Sequence, residues 1–285
     1  MRGNVKLKGD DITMAIITIS RQLGSLGNEI AMATADKLGY EYIEKVQISE
    51  ILSKLGFSLS DIDKFDEKKP SVWQTLTVQK QLFAHFIRAA VCELAARKNV
   101  VIVGRGGQVI LKDIPGTLHI RVIAPYATRV SRLMEQREYE EDDVKRMIRQ
   151  SDNDSSGYLS TYFDAHWDDS DLYDLVINTR AMTPSKSVEL ITCAVDTNEI
   201  KESPQVSEVL YDLALSHKAK AAILEVAGGG EWVNLDVEKG VASLSGLVRS
   251  PAVKDACEKA ILSIQGVKSI DNQLNVSDQK TSIIY

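Results

Sequence analysis

Residues 15–39, "AIITISRQLGSLGNEIAMATADKLG", constrain this chain more than any other stretch. The run Ala-Ile-Ile-Thr-Ile-Ser at 15–20 is apolar and β-branched, the pattern of a strand buried on both faces of a parallel sheet. A turn containing Gly24 and Gly27 follows. Ile30, Ala31, Ala33 and Leu38 then fall at helical spacing until Gly39 stops the helix. Strand, glycine turn and helix N-terminus have the outline of a phosphate cradle, because the first N–H groups of a helix have no partner within it, although glycines also occupy strand–helix turns for packing alone. The usual loop reads G-x-x-x-x-G-K-[ST], its Lys reaching the outer phosphates and its hydroxyl holding Mg²⁺. This turn has no lysine.

Further apolar runs repeat the strand signal at 100–104 (VVIVG), 116–124 (GTLHIRVIA) and 174–179 (DLVINT). An Ala-rich periodic helix at 75–97 precedes the second of these four strands. Before it, residues 40–98 include a polar insertion, with "SDIDKFDEKKPS" and a break at Pro70. Strands alternating with helices predict an α/β, doubly wound parallel sheet over residues 14–195. The polar run "DTNEIKESPQ" at 195–205 reads as a linker that few contacts should cross, within a linker-and-helix zone at 196–216 that leads into a helix near 205–226. Beyond it, "WVNLDVEKGVASLSGLVRS" alternates as a hairpin turning at Glu238-Lys239-Gly240, then a helix at 251–264 and a last strand in "GVKSIDNQLNV". This is a small α+β module at 217–278. Residues 1–13 read as a flexible extension and 279–285 as a tail. A chain of 285 residues has room for both modules.

Several function classes are disfavoured. No apolar run approaches the ~18 residues that span a bilayer, and no apolar stretch follows the basic N-terminus as a secretory signal requires. A net charge of −6 lacks the basic footprint of a nucleic-acid binder. Cys92, Cys193 and Cys257 are far apart and without metal-ligand spacing, so no protein-held metal is expected and a reducing cytoplasm is.

The second strand ends in "VIVGRGG" at 101–107. Ligands of open α/β sheets sit beyond the carboxyl ends of the strands, where Arg105 can grip an oxyanion with a bidentate guanidinium or, as the alternative, pair with a surface carboxylate. Arg129 and Arg132 share a helix face, as do Arg146 and Arg149. Either pair can clamp phosphates. Glu138, Glu140, Glu141, Asp142 and Asp143 lie between them, so a salt-bridged, solvated surface accounts for these arginines equally well.

The tokens "ITISRQLGSLGNEIA", "VIVGRGGQVIL" and "WDDSDLYDLVINT", in this order and spacing, resemble the cytidylate kinase-like family, P-loop nucleoside-monophosphate kinase relatives. The resemblance implies a P-loop kinase-like sheet with a phosphate loop at 20–28, a monophosphate-binding insertion within 40–98 and a lid within 135–168. It implies ATP, with Mg²⁺ brought by the nucleotide, as donor and CMP or a similar nucleotide as acceptor. On that pattern Ser20, Gly24, Ser25, Gly27, Asn28, Glu29, Arg129 and Arg132 hold the nucleotide, while Arg21, Arg105 and Arg149 serve the transfer, Arg105 at the acceptor. The departures are specific: Gly27 stands where the Lys belongs and Glu29 where the Mg²⁺-holding hydroxyl belongs. In the lid "SDNDSSGY" puts Asn153, Ser155 and Gly157 in place of basic side chains. Phosphoryl transfer depends on cations around the moving group, so Arg21 is the candidate replacement. The segments "EKGVASLSGLVRS" and "GVKSIDNQLNV" resemble a BON domain, which implies a small ligand or homo-oligomer contacts; no Lys/Arg cluster supports membrane anchoring. Three readings follow: a kinase, a catalytically degenerate nucleotide sensor that signals through the BON-like module, and a scaffold with an empty pocket.

Overall fold

Five short parallel strands in the order β2-β3-β1-β4-β5 form the main sheet. The computed structural model describes residues 15–57, 78–136, 139–196, 205–228 and 232–277. The N-terminal extension, the middle of the insertion including Pro70, most of the linker run and the C-terminal tail lie outside these residues. In chain order the first unit holds β1 (Ile16–Arg21), α1 (Gly27–Leu38), β2 (Glu41–Ile43), α2 (Lys45–Lys54), α3 (Val78–Ala95), β3 (Val100–Val103) and the one-turn α4 (Gly107–Ile110). It continues with β4 (Thr117–Ile123), α5 (Tyr126–Gln136), α6 (Glu141–Phe163), β5 (Leu175–Asn178) and α7 (Pro184–Val195). The four strands expected from sequence are present. β2 is an addition: three residues, with Glu41 exposed and only Ile43 buried, are too short to show a period.

Alternate residues of the central strands feed opposite cores. Ile16, Val100 and Ile102 pack with α3, α6 and α2, whereas Ile17, Ile19, Val101 and Val103 pack with α1 and α7. The apolar runs lack alternation because helices cover both faces.

The C-terminal unit holds α8 (Val206–Ala227), β6 (Trp232–Glu238), β7 (Val241–Val248), α9 (Pro251–Leu262) and β8 (Ser269–Val276). β6 and β7 form the expected hairpin, and β8 lies parallel to β7 on its other side. Lys239 and Gly240 both take left-handed backbone at the turn, and the Asp212 carboxylate accepts their N–H groups at 2.6 and 2.9 Å. Gly246 is obligatory: its φ is +123° and a Cβ there would stand 1.9 Å from the Trp232 carbonyl oxygen.

Helix α8 buries two faces. Val206, Leu210, Ala214 and Ala221 join the core shared with α3, while Leu215, Ala219, Ile223 and Ala227 join the core of the C-terminal sheet and α9. Ser207 Oγ donates to the Ala96 carbonyl at 3.0 Å and Lys218 pairs with Glu93 at 2.8 Å. Most of the linker run expected to carry few contacts lies outside the described residues, and the helix after it packs on both units. We keep the division into two modules as a proposal, with α8 shared between them.

A chain ended at residue 205 would lose α8 and uncover the apolar flank of α3. At ~1.5–3 kcal/mol per large apolar side chain stripped of cover, this fragment is expected to aggregate or melt well below the full chain. Calorimetry of the two proteins checks it, and a fragment as stable as the full chain would show that α8 adds nothing to the first core.

Candidate phosphate-binding site

β1 lies between β3 and β4, and its parallel register with β3 pairs Ile19 with Val103. Arg21 and Arg105 each lie two residues further on, so the two guanidinium-bearing turns open at the same end of the sheet. Between β1 and α1, Gln22 N donates to the Val122 carbonyl and Ser25 N to the Gln22 carbonyl, both at 3.1 Å. Gly24 and Leu26 are left-handed, and Leu26 is the N-cap of α1. The loop packs closely on α5, since a Cβ on Gly24 would stand 3.1 Å from Arg129 Cβ.

The missing lysine has a steric explanation. A Cβ on Gly27 would stand 2.3 Å from Arg21 Cβ and 2.9 Å from Arg21 Cγ. The arginine stem thus occupies the space in which any side chain on residue 27 would begin. Arg21 Nε donates to Asn28 Oδ1 at 2.8 Å, which ties the arginine to the first turn of α1. Ser25 is fully buried, and its Oγ has no hydrogen-bond partner among the described residues.

At the end of β3, Gly104, Arg105 and Gly106 are three successive left-handed residues. Gly106 is required as well: a Cβ there would stand 2.7 Å from the Phe163 ring. Arg105, though 4% exposed, borders the main cavity. That cavity is about 1040 Å³, and of the residues named from sequence it is lined by Arg21, Gly24, Gly27, Asn28, Glu29 and Arg105. Ser20 lines a water-sized space behind it, and its Oγ accepts from Trp167 Nε1 at 2.8 Å.

The remaining predicted residues are placed differently. Arg129 makes a bidentate pair with Asp152 at 2.9 and 2.8 Å and reaches the Leu23 carbonyl at 3.4 Å. Arg132 donates to the Gly24 carbonyl and to both oxygens of Thr179, whose hydroxyl in turn donates to the Ser25 carbonyl. Three consecutive loop carbonyls are therefore held by side chains that do not line the cavity. Arg149 donates to the Tyr126 hydroxyl at 3.3 Å, and its neighbour Arg146 is the one bordering the cavity, paired with Asp143.

Sequence reasoning gave no role to Lys45 at the start of α2 or to Tyr139 and Asp154 around α6, all of which line the cavity. It also missed the support under Ser20: Arg121 is buried, stacked over Trp167 and Tyr173 and paired with Asp168. Trp167 and Asp168 open the "WDDSDLYDLVINT" token, which carried that signal without its geometry. The cations Arg21, Lys45, Arg105 and Arg146 are matched in the cavity wall by Glu29, Glu44, Asp143 and Asp154. Among the described residues no three His, Cys, Asp or Glu side chains are grouped to hold a metal, and no helix is long and apolar enough to cross a membrane.

Comparison with known proteins bears on the family and the fold. The cytidylate kinase-like family matches residues 16–181. The chain belongs to that family. A BON domain matches residues 213–278. A cytidylate kinase of Methanococcus aeolicus is 28% identical over 171 residues, 58% of this chain and 89% of the relative. A cytidylate kinase of Methanocaldococcus jannaschii is 27% identical over 185 residues, 64% of this chain and 97% of the relative. Among solved structures, an uncharacterized protein from Eubacterium ventriosum superposes with a TM-score of 0.50 at 23% identity, covering 65% of this chain and 99% of its own, and so shares the fold.

Truncating Arg129 to Ala leaves the half-buried Asp152 and the Leu23 carbonyl without their donor. Breaking such a pair costs on the order of 3 kcal/mol, to be read as a lowered denaturation midpoint. Arg129→Lys should recover only part of the loss, because an ammonium cannot make the two-pronged contact. Equal stability of the parent and Ala proteins would remove Arg129 from the support of the loop.

Proposed function

We propose that this chain binds a nucleoside polyphosphate across the β1–α1 turn and a nucleoside monophosphate against Arg105, and transfers phosphate from ATP to CMP or a similar acceptor. The supporting observation is convergence: Arg21, the glycine turn at the start of α1, and Arg105 face one cavity at the carboxyl ends of adjacent strands. The residues present suit a phosphate chain. Gly24, Gly27 and Asn28 border the cavity at the start of α1, where the first N–H groups of a helix have no partner within it. ATP supplies the transferable phosphoryl group, and Mg²⁺ accompanies its phosphates. Arg21 would supply the cation that residue 27 lacks, from the strand side of the loop. Glu29, which also borders the cavity, offers an oxygen ligand of the kind Mg²⁺ prefers. Arg105 would orient the acceptor phosphate for attack, a positioning role.

A second reading rests on the charge balance of the cavity wall. Carboxylates match the cations there, and Arg129 and Arg132 are committed to the loop. Stabilisation of a transferring phosphoryl group needs net positive charge. A site so balanced favours binding with slow turnover, the behaviour of a nucleotide sensor whose readout is the BON module.

Calorimetric titration with ATP and CMP, beside a coupled ADP-release assay on the same sample, separates the readings. Binding with turnover supports the kinase, binding alone supports the sensor, and no binding overturns both. Arg105→Ala should weaken CMP binding about 10- to 150-fold, the size of one charge-assisted contact of ~1.5–3 kcal/mol. Arg21→Ala should lower ATP affinity and turnover together, with Arg21→Lys retaining part of each. Gly27→Lys restores the lysine of the usual loop, yet it should destabilise the fold by ~1–3 kcal/mol of overpacking without strengthening ATP binding. Tighter ATP binding by that variant would refute the steric account.

A further inference from the structure

Where α3 and α8 cross, antiparallel to each other, two histidines meet. His85 Nδ1 and His217 Nδ1 lie 3.2 Å apart, with ring centroids at 5.4 Å. Both rings are half-buried. One hydrogen bond between two Nδ1 atoms requires one ring to donate and the other to accept, so at least one ring must be neutral at that nitrogen. The charged groups acting on the pair are Arg88 from α3 and Lys220 from α8, both cations. Glu93, further along α3, is held by Lys218. From α6, Tyr158 acts on Arg88, not on the histidines.

We propose that His85 and His217 form an acid-sensitive latch that holds the helix of the C-terminal module against α3, the strut behind the Arg105 turn. The strut can be traced in contacts. One turn beyond His85, Arg88 donates to the Tyr162 carbonyl at 2.9 Å and lies 4.7 Å over the Phe163 ring. Phe163 in turn closes on Gly106, next to Arg105. Loosening α8 from α3 thus removes the packing that backs one wall of the candidate site.

The sign of the pH dependence follows from linkage. Burial, then the neighbouring cations, lowers the His85 pKa to about 4. Burial, then His85, Lys220 and Arg88, lowers that of His217 to about 3. Histidines exposed by opening regain a value near 6.5. The opened state therefore binds more protons, and the closed contact is at full strength above about pH 6.5 and is lost as pH falls toward about 4. A doubly protonated pair would set two donors face to face beside Arg88 and Lys220, with no acceptor between them.

The test uses the full chain and amide hydrogen exchange across α8 between pH 7.5 and pH 5, corrected for the intrinsic rate. In the parent protein the α8 opening equilibrium should rise at least about tenfold at pH 5. His85→Leu/His217→Leu should abolish that rise, and His217→Lys, a permanent charge, should produce it already at pH 7.5. The same pH dependence in the parent and the double variant would overturn the latch. Should the Leu variant fail to fold, resonance titration of the four histidines in the parent decides instead: His85 or His217 protonating near pH 6.5 without release of α8 overturns the proposal. None of these readouts depends on nucleotide, so the latch and the kinase reading stand or fall separately.

Discussion

Parallel pairing of β1 with β3 governs everything downstream in this molecule. The register Ile19–Val103, closed by the Gly104 N–H donating to the Ile19 carbonyl at 3.0 Å, brings two strand ends to one level. A shift by one residue would turn each side chain of β1 to the opposite core. It would also separate Arg21 from Arg105. Pairing on the other side, with β4, fixes the entry to the loop through Gln22, whose N–H donates to Val122 and whose side-chain carbonyl accepts from Ala124 N at 3.2 Å. Strand order thus brings Arg21, the glycine turn and Arg105 to the cavity, and α2, α5 and α6 supply the rest of its wall.

The arginines divide into two kinds of work, and their place in or out of the cavity wall distinguishes them better than spacing or burial does. Arg21 and Arg105 border the cavity, whereas Arg121, Arg129 and Arg132 are turned to stacking, a carboxylate and loop carbonyls. Such support has a reason in the backbone. Leu26 and Arg105 hold left-handed conformations that cost an ordinary residue ~1–2 kcal/mol each, and strain of that size persists only where the surroundings over-determine it. Arg132 and Thr179 clasp the two loop residues before Leu26, and flanking glycines free Arg105 to adopt the same turn.

Much of this was legible in the sequence. Apolar runs without alternation announced buried parallel strands, because an all-apolar strand needs cover on both faces. The Glu238-Lys239-Gly240 turn announced the hairpin, because only a short list of residues accepts left-handed backbone there. The substitution of Gly27 for lysine was visible, but its cause was not: that Arg21, six residues earlier, fills the same space is a matter of side-chain direction, which no spacing rule encodes. Likewise the i, i+3 spacing of Arg129 and Arg132 allowed both a phosphate clamp and a structural pair. Which face of α5 meets the loop is set by tertiary packing. β2 stayed hidden because three residues carry no period.

Helix α8 draws these threads together, and its composition explains how. Small residues let both neighbours approach: Ala214 and Ala221 toward α3, Ala219 and Ala227 toward the C-terminal sheet, each at most 2% exposed. A helix apolar on two sides is one that belongs to two cores. Unfolding either core exposes one face of α8 and weakens its hold on the other, so the two modules share part of their stability. That sharing is what makes a signal between them physically available. A ligand that tightened the Arg105 turn would act through Phe163 and α3 on the seat of α8, and a ligand of the C-terminal sheet would act on the same seat from the other side.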